Sequence, residues 1–147
     1  MRAQNGTATF GVIIGTRGIF NSELAAADRK KLLATMDELG YRSVIPSAEE
    51  TTNGGIETRK DAKVCASLFR EHAEEIDGIV VSLPNFGDEL AVVQTLEMAE
   101  LNVPILVQAS KDEVDKVDVH SRRDAFCGKI SVCNNLYQYG YTFTDTT

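Results

Sequence analysis

A run of apolar, mostly β-branched residues, Phe10-Gly11-Val12-Ile13-Ile14, stops abruptly at Gly15, and a helical pattern begins within a few residues. A short apolar run bounded by glycine suits a strand covered on both faces, the central strand of a parallel sheet. In open α/β sheets the loops at the carboxyl ends of the strands form the ligand crevice. The loop 16–20 is therefore expected where chemistry happens. It carries a hydroxyl (Thr16), a guanidinium (Arg17) and two large apolar side chains, Ile19 and Phe20.

The rest of the chain repeats this alternation. Asn21 or Ser22 can cap a helix, whose apolar stripe is Leu32, Leu33, Met36 and Leu39, with Asp28, Arg29 and Asp37 among the residues facing out. Gly40 is a natural stop for it. Residues 41–45 read as a second strand ended by Pro46, and residues 47–57, with no apolar periodicity, as a mobile loop. Thr58 and Asp61 have capping-box spacing before a second helix with Cys65, Leu68, Phe69, His72 and Ile76 on one face. Residues 79–83 form a third strand, and Asp88 caps a third helix that Asn102 ends. Residues 103–107 form a fourth strand and 110–120 an irregular surface loop. Phe126, Ile130, Cys133 and Tyr137 then recur at i, i+4, i+7 and i+11, the stripe of a fourth helix, and residues 141–144 give a fifth strand. This alternation predicts an α/β fold: a doubly wound, flavodoxin-like parallel sheet of about five strands with helices on both faces.

At 147 residues the chain fits one domain with a real core. Its formal net charge of −7 argues against nucleic-acid binding, which needs a basic face. No apolar run reaches the roughly 18 residues that span a bilayer, and the polar start, residues 1–9, lacks the apolar core of a signal peptide. The expectation is a cytoplasmic protein with no membrane partner. The odd set Cys65, Cys127 and Cys133 has no metal-type spacing and falls in helical patterns, which predicts buried free thiols.

No catalytic constellation emerges from spacing: there is no G-x-S-x-G, H-E-x-x-H or P-loop. His72 reads as a structural histidine in a helix face, and His120 lies in the surface loop. Two strand-end loops remain, 16–20 and 84–88, which the flavodoxin-like strand order makes neighbours. Together they offer Arg17, Asn85 and Asp88 as polar groups and Ile19, Phe20 and Phe86 as apolar walls. A few placed polar groups among apolar walls is what a small-molecule site needs, although Phe20 and Phe86 merely covering the sheet end is an equal reading of the same residues.

Gly15-Thr16-Arg17-Gly18-Ile19-Phe20, Ser82-Leu83-Pro84-Asn85-Phe86-Gly87-Asp88 and the run from Phe126 to Leu136 (FCGKISVCNNL) resemble the amino-terminal domain of the L-fucose/L-arabinose isomerase family. The resemblance covers nearly the whole chain in element order. It implies a single Rossmann-like domain over residues 1–147, part of an enzyme that interconverts an aldose and a ketose by proton transfer between adjacent carbons, assisted by manganese. It also implies a homo-oligomer in which this domain reaches into a neighbouring subunit's active site. Metal ligands and catalytic groups are expected in later domains, none in this chain, so the chain alone should be inactive. By resemblance Arg17, with Ile19 and Phe20 beside it, contacts a monosaccharide, and Phe86, next to Asn85, lines its pocket. The competing expectation is a flavodoxin-like module binding FMN or another small ligand. Residues 82–89 faintly resemble a flavin-contacting loop, but Arg17, Ile19 and Phe20 suit a phosphate loop poorly.

Overall fold

The computed structural model describes residues 7–146. Five parallel strands, β1 (Thr9–Ile14), β2 (Arg42–Val44), β3 (Gly78–Leu83), β4 (Ile105–Ala109) and β5 (Thr144–Asp145), form one sheet in the order β2-β1-β3-β4-β5. Four helices connect them: α1 (Ser22–Glu38), α2 (Arg59–Glu71), α3 (Glu89–Ala99) and α4 (Ala125–Gln138). The doubly wound, flavodoxin-like class is therefore correct. The chain reverses direction across the sheet between β1 and β3, so their carboxyl ends frame the crevice.

Alternate strand residues point to opposite faces. Ile13, Ile79, Val81 and Val107 meet Phe69, Val92 and Leu136 in the main core, beneath α2, α3 and α4. Phe10, Val12 and Ile14 meet Leu32 and Met36 of α1 on the other face. Gly11 is required by close approach: a Cβ there would stand 2.9 Å from Phe69 Cζ.

Local signals placed several boundaries well. The Asn21 side chain accepts from the Glu23 amide, Asp88 accepts from the Ala91 amide at 2.8 Å, and Thr58 with Asp61 forms a full capping box. Gly40 ends α1 with φ +79°, the left-handed conformation that costs glycine least.

Other expectations are corrected. The stripe assigned to α4 is its outer face: Phe126, Ile130 and Tyr137 are exposed, while Ala125, Gly128, Lys129, Val132 and Leu136 turn inward. The inner set has helical spacing of its own, and its small and amphipathic members disguised it. Leu39 is likewise exposed, whereas Asp28 faces inward to Arg123. Only Cys65 is a buried thiol; Cys127 is exposed and Cys133 intermediate. Burial pushes the Cys65 thiol pKa up, which keeps it protonated and unreactive. His72 caps the end of α2, half-exposed and 2.9 Å from Glu75, rather than lying within the helix face. Strand four runs two residues later than expected and α3 ends at Glu100 in a left-handed turn, not at Asn102.

The segment 47–57 is built into the fold. It holds a 3-10 turn at Thr52–Gly54, and Ile56 bridges to Gly15 at the end of β1, its amide donating to Ile14 O at 2.7 Å. Asp61 organises it: one carboxylate oxygen accepts from the Thr52 amide and hydroxyl, the other from the Glu57 and Thr58 amides and the Thr58 hydroxyl. Burial acts to raise the Asp61 pKa, but these donors outweigh it and hold the carboxyl below its usual range. The Thr58 donors belong to the capping box legible in the sequence, but those of Thr52 and Glu57 were invisible there because they come from a segment without periodicity.

Candidate functional site

The β1–α1 and β3–α3 loops meet at the carboxyl ends of their strands through backbone bonds. The Gly15 amide donates to Ser82 O at 2.9 Å, and the Asp88 amide to Thr16 O at 3.1 Å. Gly87 sits so close to Gly15 that a Cβ would fall 2.7 Å from its carbonyl oxygen. From behind, Gly128 of α4 presses on the second loop, with a virtual Cβ 2.8 Å from Phe86 Cα. The Phe86 amide donates to Arg123 O at 2.8 Å, and the Arg123 guanidinium donates to Pro84 O and to Asp28. Gly128 and Arg123 are thus positioning residues for the crevice that sequence reasoning missed. Glycine in a helix interior is unfavourable without a close packing neighbour, so Gly128 carried a usable signal. Arg123 carried none, since its partner Asp28 lies 95 residues away.

Arg17 and Phe86 come together across the crevice. The Arg17 guanidinium carbon lies 4.8 Å from the centre of the Phe86 ring, a cation–π geometry. An Arg17 Nη donates to Glu89 Oε2 at 2.7 Å, with Asp88 3.9 Å away. Both carboxylates stand at the amino end of α3, whose dipole favours them there. Arg17 and Phe86 are both partly open to solvent. Phe20 and Asn85 line a recess of about 70 Å³ beside them, together with Thr16, Asn53 and Glu57. Ile19 does not join this wall; it is 74% exposed.

Two of the residues around the recess are almost wholly buried. Thr16 is 5% exposed and Asn85 3%, yet Thr16 Oγ1 and Asn85 Oδ1 lack hydrogen-bond partners. Its rim is fixed by Glu57, whose Oε1 accepts from the Gly18 amide at 2.5 Å. A larger groove of about 520 Å³ opens between α1 and the segment after β4, lined by Asp28, Lys31, Gln108 and Arg123 among others. Its central groups are already paired, Asp28 with Arg123 and Ser110, and Gln108 with Ser82. Thr16 and Asn85 line the smaller recess, which is well below the about 300–1,000 Å³ typical of a complete small-molecule site. By itself it encloses neither a flavin nor a whole sugar.

Among the described residues no three His, Cys, Asp or Glu side chains converge as metal ligands, so they do not fit the manganese ion that the resemblance implies. No described helix is long and apolar enough to cross a membrane.

A flavodoxin-like sheet with a crevice at its β1–β3 reversal defines a doubly wound α/β domain. Residues 11–147 match the model of the fucose/sulfoquinovose isomerase N-terminal domain. The chain belongs to this family and is therefore an isomerase domain. No curated protein matches it.

Proposed function

We propose that this chain is the substrate-contacting and subunit-interface domain of a ketol isomerase of the L-fucose/L-arabinose type. The observation that carries this reading is Arg17 stacked on Phe86 at the β1–β3 crevice. Two chemistries suited to a sugar lie side by side there: a guanidinium that donates hydrogen bonds to hydroxyls, and an aromatic face that packs against C–H groups. Glu89 fixes the direction of the guanidinium while taking one of its five N–H donors.

Aldose–ketose interconversion moves a proton between adjacent carbons and needs a placed acid–base pair. The described residues converge on no such pair in the crevice, so the role read here is to bind and orient the sugar. The reacting groups and the manganese ligands lie elsewhere in the enzyme, and in a homo-oligomer the crevice meets a neighbouring copy's centre. The chain alone should not turn over L-fucose or L-arabinose, with or without manganese.

Arg17→Ala in the intact enzyme tests this. Loss of charge-assisted hydrogen bonds worth about 1.5–3 kcal/mol should lower kcat/KM by about ten- to a hundredfold. The melting temperature should change little. Phe86→Ala should alter preference among sugars more than metal affinity. Unchanged kinetics with a large loss of stability would reduce both residues to a cover for the sheet end.

A further inference from the structure

We propose that Glu89 sets how sharply the enzyme distinguishes sugars that differ in the configuration of one hydroxyl, by holding the Arg17 guanidinium in a single direction. This deepens the sugar-binding reading above and rests on it. A long, freely rotating arginine can turn its donors toward a hydroxyl in either configuration, so by itself it judges stereochemistry poorly. Here the side chain is held at both ends. The Phe20 amide donates to Arg17 O at 3.0 Å, which ties down the backbone it springs from. At its tip an Nη donates to Glu89 Oε2 at 2.7 Å, while the guanidinium carbon lies 4.8 Å from the centre of the Phe86 ring. The ring restricts the guanidinium from one side and the carboxylate fixes its direction, leaving the remaining donors aimed one way.

Of the two carboxylates at the start of α3, Glu89 is the one suited to this. Asp88 stands 3.9 Å from Arg17, beyond hydrogen-bond reach, and its Oδ1 already accepts from the Ala91 amide. Glu89 also stands on firm ground. The Asp88 cap fixes the first turn of α3, and Ala91, Val92 and Val93, which follow directly, are buried in the main core. The Arg17–Glu89 pair is partly open to water, so it adds little to the stability of the fold. Its contribution is directional: a donor held in one line meets a hydroxyl in one configuration and misses the epimer, whose oxygen points elsewhere. Glu89 is therefore a positioning residue, acting on the sugar through Arg17.

Steady-state kinetics of the intact enzyme on L-fucose and on its C3 and C4 epimers tests this, since those hydroxyls lie away from the two reacting carbons. The parent should prefer L-fucose to at least one epimer. Glu89→Ala should lower kcat/KM for L-fucose about tenfold and leave the disfavoured epimer nearly unchanged, so the preference shrinks by the same factor. Glu89→Gln, whose amide oxygen still accepts from Arg17, should keep most of the preference. In an Arg17→Ala background, Glu89→Ala should cost nothing further. Both Glu89 variants should melt within a few degrees of the parent. An equal loss on all three sugars overturns the proposal, as does a full Glu89→Ala loss in the Arg17→Ala background. A sharp fall in melting temperature for both Glu89 variants makes Glu89 a structural residue and overturns it too. A parent without preference, or Glu89 variants that behave as the parent while Arg17→Ala is impaired, overturns it and leaves the Arg17–Phe86 reading standing. Unchanged kinetics for Arg17→Ala overturns both readings.

Discussion

On the face covered by α2, α3 and α4 the sheet buries Ile13, Val81 and Val107 completely, whereas on the opposite face α1 covers Val12 and Ile14 but Leu106 of β4 is left 37% exposed. The helices differ in the same way. Over its seventeen residues α1 buries only Ala25 and Met36, while the shorter α3 buries six. Packing stability is therefore concentrated on one face, and α1 is held largely by polar ties: Asp28 to Arg123, Arg29 to Pro46 O, and Asn21 to His120 O. The crevice lies where the two regimes meet, with its loops clamped from the well-packed side by Gly128 and its recess closed on the other by Ser22 and Ala25 of α1. A rigid back wall with a lightly packed front is a workable arrangement for a site that must admit a ligand.

The largest effect that separates the two faces should come from Phe69→Ala, which empties the main core. It should cost about 3–5 kcal/mol, and Met36→Ala under α1 about 2 kcal/mol, both read from chemical denaturation. Equal losses would break the asymmetry.

Removing the polar tie comes next. Asp28→Ala strips two charge-assisted bonds from the half-buried Arg123 and should cost about 1.5–3 kcal/mol. Hydrogen exchange should then quicken in α1 and in the loop carrying Asn85, while α2 and α3 keep their protection. A uniform increase would mean that α1 is coupled to the whole core.

Acid probes the segment that closes the β1 end. The Asp61 pKa is lower folded than unfolded, so its contribution to stability is fully present above the unfolded value of about 4 and is lost as pH falls through the lowered folded value. Asp61→Asn should cost about 1 kcal/mol at neutral pH and flatten that acid limb in melting curves. An unchanged acid limb would show that other carboxylates carry it.

The smallest effect is expected on the outer face of α4. Ile130→Ser changes an exposed position and should alter the stability of the chain by no more than about 0.5 kcal/mol, against several for Leu136→Ala on the inner face. A large loss from Ile130→Ser would put the exposed stripe inside a contact.

Where a feature depends on neighbours in sequence, the chain announced it. The central strand ending at Gly15, the Thr58–Asp61 box, the Asp88 cap and the Gly40 stop all rest on residues within one turn or one strand, and they sufficed for the strand order and the meeting of Arg17 with Phe86. What the sequence did not disclose was which apolar stripe of α4 turns inward, because two overlapping helical patterns compete and only contact with the sheet chooses between them. Nor did it disclose the Asp28–Arg123 clamp, the five donors gathered on Asp61, or the unpartnered oxygens of Thr16 and Asn85. The clamp joins segments 95 residues apart, the Asp61 hub draws on a loop without periodicity, and the unpartnered oxygens depend on what a buried atom fails to meet. Such relations exist only once the sheet has brought the segments together.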